Sequence, residues 1–202
     1  MLAQNILTVF ILLPKIWVHN SNHGNYNQHP ATKPTKSGAW HILPTNTLYT
    51  VTDNSLKLMN DTLIKFGYPD SAIKTYEHWS VLLRPEQVTL GSLILASHSN
   101  AYAFGDLSDL AMKELSTITK DIEASLTDCF SYDKINYLML MMVDPHVHFH
   151  VIPRYSASRG FLTIKTTDEF WPGPPDLSHK ISLDLSQKQS LLEHLKTQWI
   201  SH

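Results

Sequence analysis

The chain of 202 residues has a single cysteine, Cys129. One thiol excludes an internal disulfide framework and fits a reducing, cytoplasmic setting. Cys129 ends an apolar helical pattern, so the expected role is a small buried hydrophobe rather than a reactive group. The 7 glycines fall in no Walker or Rossmann phosphate-binding pattern. No excess of basic charge is present either: 16 Lys and Arg face 18 Asp and Glu, for a net charge of −2. That excludes a broad electrostatic footprint for DNA or RNA but not a small nucleotide ligand. Long apolar runs are missing too. The stretch Ile6 to Leu13 is interrupted by Pro14 and Lys15, well short of the roughly 20 residues of a membrane span. A signal peptide would place basic residues before such a run, and Lys15 comes after it. No internal repeat, cysteine cluster or His-Glu-x-x-His pairing occurs.

Histidine, by contrast, is plentiful, at 12 residues. Three fall at alternate positions in Asp144-Pro145-His146-Val147-His148-Phe149-His150-Val151-Ile152-Pro153-Arg154-Tyr155. The apolar spacers Val147, Phe149 and Val151 suit a strand, and a strand sends successive side chains to opposite faces. The pattern therefore predicts a strand with His146, His148 and His150 on one face and the spacers on the core face. A neutral imidazole offers one donor and one acceptor nitrogen and can act as a nucleophile. A metal site is the competing reading, since imidazole is a common ligand. Same-face neighbours on a strand supply two ligands readily, whereas a third needs a bulge or another segment.

The run His-x-His-x-His, two apolar residues, Pro153 and Arg154 resembles the signature of the histidine triad superfamily of nucleotide hydrolases and transferases. The ending Val-Ile-Pro-Arg-Tyr is similar to the branch of dinucleoside polyphosphate hydrolases, and a looser likeness extends over about residues 59–175. The resemblance implies an α+β fold in which a five-stranded antiparallel sheet carries a long helix, commonly in a homodimer. It implies His148 as the nucleophile toward an α-phosphorus, forming a nucleotidyl-histidine that water cleaves. His146 and His150 then orient phosphate oxygens or the leaving group. The substrate implied is a dinucleoside polyphosphate or nucleoside phosphoramidate, with no metal, cofactor, nucleic acid or membrane partner. Three alternatives stand beside hydrolysis: transfer to phosphate or another acceptor, a metalloenzyme, and a nucleotide sensor without turnover.

Taken in order, residues 1–58 read as an N-terminal extension lacking periodicity, with Met59 a candidate natural start. Tyr76–Leu83 and Gly91–Ser97 predict a hairpin. Arg84 ends its first strand where many histidine triad proteins carry an acidic or amide residue, and reads either as a nucleotide contact or as a solvated strand end. Ser108 is placed to cap a helix to Asp128, with Leu115, Ile118, Ile122 and Leu126 on its packing face. Lys134–Met142 predicts an apolar strand buried on both faces by the helix or a partner subunit, with Asn136 as a candidate phosphate contact. Val143-Asp144-Pro145 then reads as a tight turn replacing the phosphate-holding loop that many histidine triad proteins have before the first histidine. Asp144 there would repel phosphate. Arg159 is expected in a loop, free for phosphate oxygens. Phe161–Lys165 predicts a short strand, and Trp171-Pro172-Gly173-Pro174-Pro175 a stiff spacer. Residues 176–202 read as a tail whose last helix is capped by Ser186 with Gln189 and whose apolar face is Leu191, Leu192, Leu195 and Trp199.

Overall fold

The computed structural model describes residues 60–202. The extension expected over 1–58 and the start at Met59 lie outside the described residues. Helix α1 (Asp61–Lys65) is followed by strands β1 (Ala72–Thr75), β2 (Trp79–Leu83) and β3 (Leu93–Ser97). Helix α2 (Asp109–Phe130) leads into β4 (Lys134–Leu138) and β5 (His148–Arg154). A small hairpin, β6 (Arg159–Phe161) and β7 (Ile164–Thr166), and helix α3 (Leu185–Thr197) complete the chain. The main sheet has five strands in the order β1-β2-β3-β5-β4, all antiparallel. This is the α+β architecture expected from the sequence. The triad strand β5 is an interior strand, paired on both edges.

Helix α2 starts where the cap predicts. The Ser108 hydroxyl accepts a hydrogen bond from the Ala111 N–H at 3.2 Å, satisfying one of the free donors of the first turn. Ala111, Ile118, Ile122 and Leu126 recur at helical spacing and are 3% exposed or less. They pack with Val81, Leu93, Leu95, Val147 and Val151 in the main core. Each such side chain contributes about 1.5–3 kcal/mol through burial. Asp121 lies on the same stripe and is also buried, held by Tyr76 Oη at 2.6 Å and by the backbone N–H of His202 at 2.9 Å. Burial raises its pKa, but these hydrogen bonds outweigh burial and the net shift is downward. At the sheet end of the helix, Gly91 has a φ of +83°, and a Cβ there would stand 2.8 Å from the Phe130 ring. The β2–β3 turn approaches the helix this closely only because residue 91 has no side chain.

Several expected boundaries move. The strand expected over Tyr76–Leu83 begins at Trp79, and residues 72–75 form an additional strand, β1, which the sequence pattern missed because only Ile73 of its four residues is buried. The apolar strand expected to reach Met142 ends at Leu138. Leu138 is the last residue of β4 to pair with β5, opposite His150, and Met141 turns left-handed with φ 46°. β4 is an edge strand of intermediate burial, and Leu140, Met142 and Val143 are 51, 87 and 81% exposed. Burial on both faces within the chain is therefore corrected. So is the tight turn before the histidines: residues 139–147 form a loop.

Arg159 is corrected as well. Its guanidinium donates to the carbonyls of Phe130 at 3.3 Å and Ser131 at 3.1 Å. It therefore caps the C-terminus of α2, where a cation also meets the negative end of the helix dipole. The capping box of α3 lies two residues earlier than Ser186 and Gln189. Asp184 accepts from the Gln187 N–H at 2.8 Å and Gln187 Oε1 from the Asp184 N–H at 3.0 Å. Both pairs satisfy the same spacing rule, and the earlier one closes reciprocally. Residue 175 is not a packing boundary, since Leu191, Leu192 and Leu195 are part of the main core and the Ile181 N–H bonds the Gln87 carbonyl at 2.8 Å. Cys129 is half-buried, and burial pushes its thiol up to about 11.

Candidate active site

Sheet register builds the site. His148 stands opposite Ala96 and His150 opposite Ile94, and Ile94 opposite Leu82. These residues share one face, which carries a small apolar cluster of Leu63, Phe66, Leu82, Ile94 and Ala96. The rings of His148 and His150 are 5.1 Å apart, and Phe66 lies 5.5 and 5.8 Å from them. Val147 and Val151 turn to the opposite face and join the main core, with Phe149 packed against it. The alternation expected of the triad therefore sorts a histidine face from a core face.

His146 does not sit on the strand, contrary to expectation, because β5 begins at His148. Pro145 has no N–H to offer a ladder. Two residues on, Val147 donates to the Ala101 carbonyl at 3.1 Å and accepts from the Ser97 N–H at 3.0 Å. His146 still reaches the same neighbourhood, with its Nδ1 3.1 Å from Thr62 Oγ1 and its ring 5.0 Å from Tyr102. The Asn60 amide donates to the carbonyls of Ser97 at 2.9 Å and Ser99 at 3.0 Å, and its oxygen caps α1 at Leu63. One side chain thus both starts the helix and pins it to the end of β3. The three histidines are only 6, 1 and 8% exposed in chain order.

The protonation of His148 follows from its partner. Nδ1 lies 2.8 Å from the backbone carbonyl of His146. A carbonyl only accepts, so Nδ1 carries the proton and the lone pair of the neutral ring is on Nε2. Nε2 is bonded to none of the described residues. His150 behaves differently. Burial, then the positive charges it would share with His148 and Arg84, push it down to about 4, so it is neutral at cellular pH. Its Nδ1 is buried with no partner among the described residues. Asp144, expected to repel phosphate, forms an ion pair with Lys65 at 2.5 Å, which offsets its charge at the site.

The two outlying candidates fare differently. Asn136 faces Ile152 rather than His150, and its oxygen accepts from Arg154 Nη1 at 3.0 Å. Arg154 is also held in a buried bidentate pair by Asp168, at 2.6 and 3.1 Å. The structure thus places Asn136 in a clamp tying the residue 168 loop to the sheet, on the histidine face and opposite the residue two beyond His150. Arg84 continues the pairing past β2, with its N–H donating to the Ser92 carbonyl at 3.1 Å. It is two residues beyond Leu82 and so on the histidine face. Its Nη2 donates to the Leu177 carbonyl at 3.3 Å, while Nε and Nη1 are buried and unpartnered among the described residues. Burial lowers its pKa. This overturns the reading of Arg84 as a solvated strand end. Thr62, Phe66 and Tyr102 were missed by sequence reasoning. The Asn60 cap ahead of Asp-Thr-Leu-Ile-Lys was the one available signal, and it marks the helix, not its role.

Among the described residues no three His, Cys, Asp or Glu side chains are grouped to hold a metal ion. No helix among them is long and apolar enough to cross a membrane. The chain matches no family model and no curated protein. Solved structures do match. A histidine triad protein from Bradyrhizobium japonicum superposes with a TM-score of 0.55 at 19% identity, over 70% of this chain and 97% of its own. One from Sinorhizobium meliloti gives 0.55 at 20%, over 69% and 95%. A hypothetical histidine triad nucleotide-binding protein from Sulfolobus tokodaii gives 0.52 at 15%, over 68% and 88%. This chain has the histidine triad fold.

Proposed function

We propose, with the histidine triad fold as premise, that this protein is a nucleotide hydrolase acting at an α-phosphate through a nucleotidyl-histidine on His148. The observation that carries the reading is the fixed tautomer of His148: a backbone carbonyl holds the proton on Nδ1, which makes Nε2 the nucleophile. In the first step the Nε2 lone pair forms a bond to the α-phosphorus, and the bond from phosphorus to the leaving group breaks. The leaving group departs with that electron pair and takes up a proton. In the second step water attacks the same phosphorus, the phosphorus–nitrogen bond breaks, and the water's proton is released as the ring regains its neutral form.

In this reading His146 and neutral His150 flank the reacting phosphate and orient its oxygens or the leaving group. Thr62, through its contact with His146, sets the angle of that ring. The substrate class that fits is a dinucleoside polyphosphate or a nucleoside phosphoramidate. Incubation with such substrates, rapid quenching and peptide mapping tests the assignment. A nucleotidyl adduct on the peptide containing His148 is expected. His148→Ala should lose the adduct and at least about a thousandfold in turnover while keeping its circular dichroism and melting transition. Undiminished turnover in that variant rules the assignment out. Product analysis with added inorganic phosphate separates hydrolysis from transfer, since a transferase yields the nucleoside diphosphate.

A further inference from the structure

Arg84 is a cation without a counter-anion among the described residues. A guanidinium has five N–H donors, and one hydrogen bond from its side chain, to the Leu177 carbonyl, is made. Nε and Nη1 are buried and without a partner among the described residues. The carboxylate that acts on it electrostatically is Glu86, which is half-exposed and paired with Lys180 at 3.6 Å. Leaving a guanidinium buried and unpaired is costly, and a fold gains nothing by it unless an anion arrives from outside. Arg84 shares its sheet face with His150, whose Nδ1 is the other buried side-chain atom without a partner among the described residues. The two residues are two strands apart in the order β2-β3-β5, about 10 Å across the sheet at ordinary strand spacing, and an extended arginine covers much of that gap. Arg84 pairs with Ser92 while His150 stands opposite Ile94, so they are also offset by two residues along the strands, and the three unmet polar atoms lie on one face, on the β2–β3 turn side of His148.

We propose that Arg84 and His150 form a second anion subsite, so that the preferred substrate carries a further phosphate or comparable anionic group besides the phosphate attacked by His148. The proposal rests on the assignment of His148 as nucleophile. Nε and Nη1 of Arg84 are adjacent donors on one edge of a rigid fork, which suits two oxygens of a phosphate. His150, being neutral, adds a hydrogen bond without adding charge. The extra anion has two sources, the leaving-group side of a polyphosphate or a phosphate ester on the nucleoside, and the subsite chemistry is the same for both.

The experiment uses the full chain and has two readouts. The first needs no turnover. Inorganic pyrophosphate is titrated calorimetrically into the His148→Ala protein, and Arg84→Gln in that background is expected to weaken binding at least tenfold, with Arg84→Lys in between. The second compares kcat/KM for a nucleoside 5′-phosphoramidate, its 3′-phosphorylated counterpart and a dinucleoside tetraphosphate. One of the two more highly charged substrates should be preferred, and Arg84→Gln should cut that preference at least tenfold, chiefly through KM. Which preference falls identifies the source of the anion. The unliganded melting temperature of Arg84→Gln should equal or exceed that of the parent. A lowered melting temperature with unchanged pyrophosphate affinity would mean a structural arginine and overturn the proposal. So would an unchanged substrate preference. If no adduct forms on His148 while pyrophosphate affinity still depends on Arg84, the subsite stands and the nucleophile assignment fails.

Discussion

The two faces of the sheet are built on different principles. Beneath the odd-numbered residues of β5 lies the main core, where Val147, Val151 and Tyr155 meet the buried stripe of α2 and the leucines of α3. Apolar packing holds that side together. Above the even-numbered residues the apolar cluster among the described residues is small, with five buried side chains from α1 and its end, β2 and β3, and polar clamps add to the holding. Asn60 pins α1 to β3, and Asp168 grips Arg154. The same face keeps Arg84 and His150 with buried polar atoms unmet. Apolar packing is concentrated on one side and unmet polar groups on the other. A face that must receive a charged ligand cannot be filled with hydrocarbon, so its order comes from directional bonds.

Substitutions on either side test this contrast. The largest stability loss is expected on the thin face. Asp168→Ala strands the Arg154 guanidinium, 3% exposed, and should cost about 3–5 kcal/mol in urea unfolding. A loss under about 1 kcal/mol would show that the clamp is decoration. Next comes a matched pair of truncations. Ile122→Ala in the main core should cost about 2–5 kcal/mol. Leu63→Ala, equally buried but in the small cluster, should fall at or below the low end of that range, because α1 has room to settle into the gap. Equal losses at both positions would erase the distinction between the faces.

A different kind of test is a pH dependence. His150 moves from 6.5 to about 4 on folding, through burial first. Between those values the unfolded chain binds a proton that the folded chain does not, so stability falls as pH is lowered from 6.5 toward 4. His150→Gln removes this contribution. The difference in urea midpoint between parent and variant should therefore shift against the parent over that interval. A difference that stays constant with pH would show that the imidazole is not held neutral by the fold.

Much of the scaffold was legible because periodicity reports burial directly. Ile118, Ile122 and Leu126 marked the packing face of α2, Ser108 its start, and the alternation from His148 to Val151 the strand. The misreadings share a cause. Met139 to Met142 looked like strand interior because hydrophobicity cannot tell an apolar edge loop from a buried run. Arg159 looked free because the carbonyls it caps lie 28 and 29 residues earlier in the chain.

The sequence by itself determined the chemistry on offer: three imidazoles at alternate positions beside apolar spacers, a pattern that local stereochemistry converts into a reactive face and a packed one. Tertiary structure alone decided the state of each group. The carbonyl of His146 chooses the tautomer of His148, burial holds His150 neutral, and the turn after β2 sets Arg84 on the histidine face with two donors unanswered. Proton positions and charges depend on which groups, distant along the chain, are brought within a few ångströms, and no spacing rule in the sequence records that.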